Sequence, residues 1–125
     1  FTRNRIRQVV LPALEQAFPG FRDTFARSAR HAAQAQDLLV DVAASDLQSM
    51  GIPPSIKGLQ AMSRARQSNA LRHWLKQQHQ TAPSEAQMTE LLSQVAACTS
   101  RGHAISIKVG RGMVVRDGDR LGFHD

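Results

Sequence analysis

The chain has 125 residues, which suits one domain whose folding buries roughly two-thirds of the surface an unfolded chain exposes. Lysine and arginine number 16 against 10 acidic residues, so the net charge of +6 favours a polyanionic partner. No apolar run approaches the ~20 residues of a membrane span, and no signal segment opens the chain. A single cysteine excludes an internal disulfide, so we expect a cytoplasmic protein. Because the sequence contains no candidate membrane span, we expect no association with membranes. Because the chain begins at Phe1 rather than Met, we also expect a piece of a longer polypeptide.

The first segment, Thr2 to Phe18, has apolar residues three or four apart, which is the spacing of one helical face. Arg3 and Arg7 lie one turn apart on a neighbouring face. Like charges at this spacing repel, so either an anion offsets the repulsion or the face is simply solvated. Pro19-Gly20 ends the segment, which predicts a linker helix over residues 1–20.

A second helical pattern, the longest in the sequence, runs from Phe21 to about Ser49. Its middle is rich in alanines, whose small side chains would let another helix approach closely: Ala26, Ala29, Ala32, Ala33 and Ala35. Aspartates make its second half acidic and a poor site for phosphate. Gly51 to Ser55 is a break, after which Leu59 to Met62 is predicted to form a short turn. Ser63 then serves as the N-cap of the next helix.

The segment from Arg64 to Lys76 contains the only tryptophan and predicts an amphipathic helix. Its apolar side includes Leu71, Trp74 and Leu75, and we interpret Trp74 as core rather than as a stacking platform. Beside this side runs a mostly basic stripe formed by Ser68, Arg72, Lys76 and His79. The stripe is either a solvated face or a surface for an anionic partner, and the segment alone does not decide. A polar connection is expected from Gln77 to Ala82.

The last part of the chain changes from helical to alternating periodicity. Ser84 and Gln87 have the spacing of a capping box and begin a helix, near whose end Cys98 is expected to be buried. Residues 103–125 alternate between apolar and polar and contain glycine turns, which predicts a small antiparallel meander. The expected fold is therefore α+β and predominantly α, with about four helices followed by this meander. The helical domain that includes the meander is predicted to cover residues 21–125.

Motifs for chemistry are missing from the sequence. The five histidines are scattered without zinc-ligand spacing, and no nucleophile elbow is present. Asp117 and Asp119 flank a glycine as turn formers do. Lys57-Gly58 lacks both the preceding strand and the following Ser or Thr of a phosphate loop. We therefore expect no catalytic residue, metal ligand or cofactor-binding residue, and no catalysis by this chain alone.

Several segments match one known family in order and spacing. They are Arg3-Asn4-Arg5-Ile6-Arg7, Val10-Leu11-Pro12-Ala13-Leu14, Arg27-Ser28-Ala29, Ala65-Arg66, Leu71-Arg72-His73-Trp74-Leu75, Pro83-Ser84, and Gly110 through Arg116 to Leu121. With these segments the chain resembles the tRNA(Ile)-lysidine synthetase family downstream of the catalytic domain. The resemblance implies a parent ligase whose ATP-pyrophosphatase-type domain uses ATP with magnesium to attach lysine to the wobble cytidine of an isoleucine tRNA. The Ser-Gly-Gly-x-Asp-Ser loop of that domain is absent here, so ATP binding is assigned to no residue of this chain.

The resemblance also implies that this part of the family binds the tRNA substrate. By position, the residues expected to contact tRNA are Arg3, Asn4 and Arg7 near the junction with the catalytic domain, and Arg66, Arg72, Lys76 and Arg116 as phosphate contacts. They would position the RNA by shape and charge, because an A-form helix hides its base edges in a deep groove. The expected partners are tRNA and the parent's own N-terminal catalytic domain, with a homodimer left open.

Two other functions compete with tRNA binding. The first is a helical protein–protein interaction scaffold that makes no direct RNA contact. The second is a DNA-binding helical domain, which is weaker because no short helix-turn-helix spacing with a glycine turn is present.

Overall fold

A computed structural model describes residues 21–100 and 102–125 of the chain. Four helices come first: α1 (Phe21–Met50), α2 (Ile56–Gln60), α3 (Arg64–His79) and α4 (Glu85–Ala97). Three strands follow: β1 (Ser106–Val109), β2 (Gly112–Asp117) and β3 (Arg120–His124). The predicted α+β class, with about four helices ahead of a small meander, is confirmed. The linker helix predicted over residues 1–20 lies outside the described residues, and the domain boundary at residue 20 stays a prediction.

The long helix α1 has 30 residues and ends one residue beyond the predicted end. It stops at Gly51, whose φ of +97° is a left-handed conformation that glycine adopts without steric cost. The alanines in its middle, which were expected to receive a second helix, are exposed. The chain divides into two compact units, and the second, Leu39–Asp125, contains the last part of α1 and all later elements. Within that unit, Ala43 and Leu47 of α1 are buried.

Two helix boundaries differ from the sequence prediction. α2 begins at Ile56, before the turn predicted at residues 59–62, because the Ser55 hydroxyl accepts a hydrogen bond from the Gly58 N–H at 3.1 Å. α3 continues through His79, so the polar connection predicted from residue 77 begins at Gln80. The ring of His79 packs against Trp74, at 5.3 Å between centroids, and is half-buried instead of belonging to the exposed stripe.

The core of the second unit is formed by the apolar faces that the sequence predicts. Trp74 is 1% exposed, which confirms its interpretation as core, and Cys98 is buried as expected. Leu71 and Leu75 of the same helix are buried with Trp74. At the start of α4, Ser84 forms the predicted capping box with Gln87. The remaining helical and strand residues of this core are Leu47, Ile56, Leu59, Ala70, Met88, Leu91, Leu92, Val95, Ile107, Val109, Val114 and Leu121.

The three strands form an antiparallel sheet in the order β1-β2-β3, as the meander prediction requires. Ile107 and Val109 of β1 face the core, while Lys108 between them is exposed on the outer face. At the β3 edge, the N–H of Leu121 donates to the carbonyl of Pro54 at 2.9 Å. This contact joins the sheet to the segment between α1 and α2.

Candidate nucleic-acid interface

Helix α3 carries three of the cations that are expected to contact tRNA. Its 16 residues make it about 24 Å long at 1.5 Å per residue. The helix begins where the Ser63 hydroxyl accepts a hydrogen bond from the Arg66 N–H at 3.3 Å, as its predicted N-cap role requires. The buried face fixes the rotation of the helix, so the direction of each cation follows from its position along the chain. Arg66, Arg72 and Lys76 nevertheless differ in what they contact.

Arg66 is paired with a buried carboxylate of α1. Its Nε donates to Asp46 Oδ2 at 3.2 Å, and its Nη2 donates to Oδ1 of the same carboxylate. Asp46 is only 3% exposed, whereas the Arg66 side chain is 55% exposed. The hydrogen bond and the charge of Asp46 raise the pKa of Arg66 above its ordinary value. One role of Arg66 is therefore internal: it neutralises a carboxylate that cannot reach water.

Arg72 has a much weaker partner. Its Nη2 donates to Glu85 Oε1 at 3.0 Å, at the start of α4. The side chains of Arg72 and Glu85 are 40% and 93% exposed. Exposed ion pairs of this kind contribute only about 0–1 kcal/mol, because solvent and salt screen them. The guanidinium can therefore exchange the carboxylate for a phosphate at little cost.

Lys76 is exposed one turn after Arg72 on the same side of α3. Within the part of the chain that the structure describes, Lys76 makes no ion pair or side-chain hydrogen bond. The structure thus brings two of the predicted contacts together on one solvent-facing surface. We call Arg72 and Lys76 the α3 basic face.

Arg116, the fourth predicted contact in the described chain, is held inside a hydrogen-bond network. Its Nε donates to the Gly118 carbonyl at 2.7 Å. Its Nη1 donates to the carbonyls of Ser100 at 2.6 Å and His103 at 2.7 Å. The side chain therefore ties the loop after α4 to the β2–β3 turn. The three remaining predicted contacts, Arg3, Asn4 and Arg7, lie outside the described residues.

The role of Arg120 could not be predicted from the sequence. Its Nη1 donates to the carbonyls of Met50 at 3.1 Å and Pro53 at 2.7 Å, where α1 ends. A cation at a helix C-terminus is stabilising because it meets the negative end of the helix dipole. Gly51 leaves room for it, since an added Cβ there would lie 2.6 Å from Nη1. The preceding Asp117-Gly118-Asp119 indicates a turn but carries no signal for partners some 70 residues earlier in the chain.

In the described part of the second unit, Leu39–Asp125, four further exposed cations were not among the predicted contacts: Lys57, Arg64, Lys108 and Arg111. None of them forms an ion pair within residues 21–100 and 102–125. The alternation of β1, which places Lys108 on the outer face of the sheet, was the available signal for one of them.

Among the described residues, no group of three or more histidine, cysteine, aspartate or glutamate side chains could hold a metal ion. None of the described helices combines the length and the apolar character needed to cross a membrane.

Comparison with known proteins gives one consistent family. Residues 55–121 match the family described as the TilS substrate binding domain. Over 125 residues the chain is 62% identical to a tRNA(Ile)-lysidine synthase of Polaromonas naphthalenivorans (strain CJ2), covering 100% of this chain and 38% of that protein. It is 40% identical over 111 residues to the tRNA(Ile)-lysidine synthase of Burkholderia pseudomallei (strain K96243), covering 86% of this chain and 22% of that protein.

A third relative, the tRNA(Ile)-lysidine synthase of Bordetella parapertussis (strain 12822 / ATCC BAA-587 / NCTC 13253), is 34% identical over 108 residues, covering 82% of this chain and 31% of that protein. The chain thus spans well under half the length of these relatives. The region matched by the family runs from the cap of α2 into β3 and contains both residues of the α3 basic face. The chain belongs to the TilS substrate-binding domain family.

Proposed function

We propose that this chain is the tRNA-binding, substrate-positioning domain of a tRNA(Ile)-lysidine synthase, and that the α3 basic face contacts tRNA phosphates. The observation that carries the proposal is the pairing of two cations, Arg72 and Lys76, on one exposed surface. One of them has only an exposed carboxylate partner, and the other has none among the described residues. The net charge of +6 supports the same partner, since it raises the local concentration of polyanions.

Each of the two cations suits a phosphate in a different way. Arg72 presents a planar fork that can bind two phosphate oxygens once Glu85 is displaced. Lys76 acts as a point charge on a flexible stem and adapts to the position of a neighbouring phosphate. Contacts of this type hold the RNA in register and orientation but do not read its sequence. The chemistry belongs to the parent's catalytic domain, which would use ATP with magnesium to attach lysine to the wobble cytidine.

The other predicted contacts have secondary places in this proposal. Arg66 uses Nε and Nη2 on Asp46, which leaves Nη1 for a phosphate. Arg116 uses Nε and Nη1 on backbone carbonyls, which leaves its Nη2 for a phosphate. Arg3, Asn4 and Arg7 remain proposed contacts at the junction with the catalytic domain.

A titration of tRNA binding to the full chain at several salt concentrations tests the proposal. The variant Arg72→Ala/Lys76→Ala should reduce the magnitude of the negative slope of log affinity against log salt by about 1.5, since each lost phosphate contact removes roughly 0.7–0.9. The matched control is Lys57→Ala/Arg64→Ala, which removes the same charge. Lys57 lies on α2, and Arg64 lies about 18 Å from Lys76 along α3. Equal slopes for both double variants would contradict the proposal.

A protein-contact scaffold is the second candidate, and it is favoured by one specific observation. Leu39, Val40 and Val42 of α1 are 47%, 39% and 39% exposed, which is unusual for large apolar side chains so close together. Such a surface fits another protein, for example the parent's catalytic domain, better than RNA. The variant Leu39→Ser/Val42→Ser should then lose co-elution with that domain while its tRNA affinity stays unchanged. Unchanged co-elution would remove this candidate.

A further inference from the structure

The turn between β1 and β2 lies against the end of α3. Gly110, in that turn, has a φ of +58°, and a Cβ added there would overlap the Thr81 side chain. Thr81 lies two residues after the end of α3, and its N–H donates to the carbonyl of Leu75 at 3.3 Å. A glycine is therefore required for this close approach. The C-terminal end of α3, which carries Lys76, and the β1–β2 turn meet at Thr81.

A ring contact confirms that this end of the sheet is packed on α3. The ring centroids of His79 in α3 and Phe123 in β3 are 4.6 Å apart. Phe123 pairs in register with Val114 of β2. The contact fixes the sheet on α3, so that charges on α3 and charges at the β1–β2 turn keep a constant spacing.

Two cations face solvent at this end of the sheet. Arg111 is exposed in the turn itself, and Lys108 is exposed on the outer face of β1, one residue before Val109. Neither forms an ion pair or a side-chain hydrogen bond within the described ranges. Two carboxylates lie on neighbouring segments of the fold. Asp125 comes one residue after β3, and Glu90 of α4 accepts a hydrogen bond from Gln94.

The opposite end of the same sheet has a different charge pattern. Its β2–β3 turn exposes the carboxylates of Asp117 and Asp119. Its two cations, Arg116 and Arg120, donate to backbone carbonyls. A polyanion that approaches the sheet is therefore attracted at the β1–β2 end, while the carboxylates of the β2–β3 turn oppose it.

We propose that Arg111 and Lys108 form a second tRNA-phosphate contact, which continues the α3 basic face across Thr81 onto the sheet. An RNA backbone would then run from α3 to the β1–β2 turn and make contacts on two elements with a fixed spacing. Two such anchors restrict the orientation of the tRNA more than one anchor does, as positioning at a distant catalytic centre requires. This inference rests on the proposed function, because it extends the same surface to further residues.

The experiment compares the full chain with three double variants, in binding titrations with an unmodified tRNA transcript over a range of salt. For Lys108→Ala/Arg111→Ala we expect affinity about three- to tenfold lower and a negative salt slope that is smaller in magnitude by about 1.5. The charge-matched control Lys57→Ala/Arg64→Ala should lower affinity less than about twofold. The third variant, Arg72→Ala/Lys76→Ala, reports on the proposed function by itself.

The outcomes separate the two proposals. If the sheet variant behaves like the control while the α3 variant weakens binding, the second contact is wrong and the proposed function stands. If neither variant differs from the control, both are wrong. Because both sheet cations are exposed, thermal unfolding of Lys108→Ala/Arg111→Ala should match that of the unaltered chain. The conservative Lys108→Arg/Arg111→Lys should keep the salt slope, and a loss of slope in this variant would contradict a simple phosphate contact.

Discussion

At the β2–β3 end of the sheet, Arg116 and Arg120 donate to backbone carbonyls of neighbouring loops, whereas the cations of the α3 basic face and of the β1–β2 turn are exposed to solvent. The first group holds segments of the chain together, and the second is available to a polyanion. A count of basic residues therefore overstates the surface that is available to a polyanion. What separates the groups is whether a protein acceptor already satisfies the guanidinium.

The largest effect is expected from the arginine that joins the sheet to α1. Arg120→Ala removes two charge-assisted hydrogen bonds and leaves the carbonyls of Met50 and Pro53 without this donor. We expect a loss of about 2–3 kcal/mol in the free energy of unfolding, measured by urea titration. The tRNA affinity of the folded fraction should change little. A stable variant with weakened tRNA binding would place Arg120 among the cations that are available to a polyanion.

Arg66 is expected to lie between the two groups. Arg66→Ala leaves Asp46 buried without a cation, so the melting temperature should fall by roughly 5 °C or more. Asp46→Asn added to Arg66→Ala should recover most of that loss, because the buried charge is then removed as well. Failure of the double variant to recover stability would show that the cost does not come from the unpaired carboxylate.

The α3 basic face should show the reverse pattern. Arg72→Ala/Lys76→Ala is expected to unfold within about 0.5 kcal/mol of the unaltered chain, since exposed pairs contribute little. Its affinity for tRNA at low salt should fall about three- to tenfold. Circular dichroism melts and filter binding on the same samples measure both quantities. A large loss of stability would move these residues into the structural group.

The smallest effect concerns Glu85, which would compete with phosphate for Arg72 in the proposed interface. Glu85→Gln keeps the size of the side chain but removes the charge, so tRNA affinity should rise about twofold at low salt, and the rise should vanish at high salt. Glu90→Gln, on the same helix but without a cation partner in the described chain, is the matched control. Equal gains from both variants would indicate a general charge effect instead of a specific competitor.

Local patterns in the sequence were sufficient for much of this fold. The face of α3 with Trp74, the capping box at Ser84 and the alternating strands follow from spacings of two to four residues, and each is confirmed. The boundary of α3 was missed because its last turn is stabilised by contacts of His79 with Trp74 and with Phe123, and the second partner is distant in sequence.

The candidate site was harder to predict, for the same physical reason. The sequence marks Arg66, Arg72 and Arg116 equally as cations. Their acceptors lie on other elements: Asp46 is 20 residues from Arg66, and the Ser100 carbonyl is 16 residues from Arg116. No local spacing encodes such pairs. Only the folded arrangement separates cations with an internal acceptor from those left to solvent.

The three lysines of the chain, Lys57, Lys76 and Lys108, allow a direct test of the proposed tRNA surface. All three are exposed, so their acetylation rates, followed by mass spectrometry with and without tRNA, can be compared within one molecule. We predict that tRNA slows acetylation of Lys76 and Lys108 and leaves Lys57 unchanged. Equal protection of all three lysines, or protection of Lys57 alone, would contradict a tRNA surface formed by α3 and the β1–β2 turn.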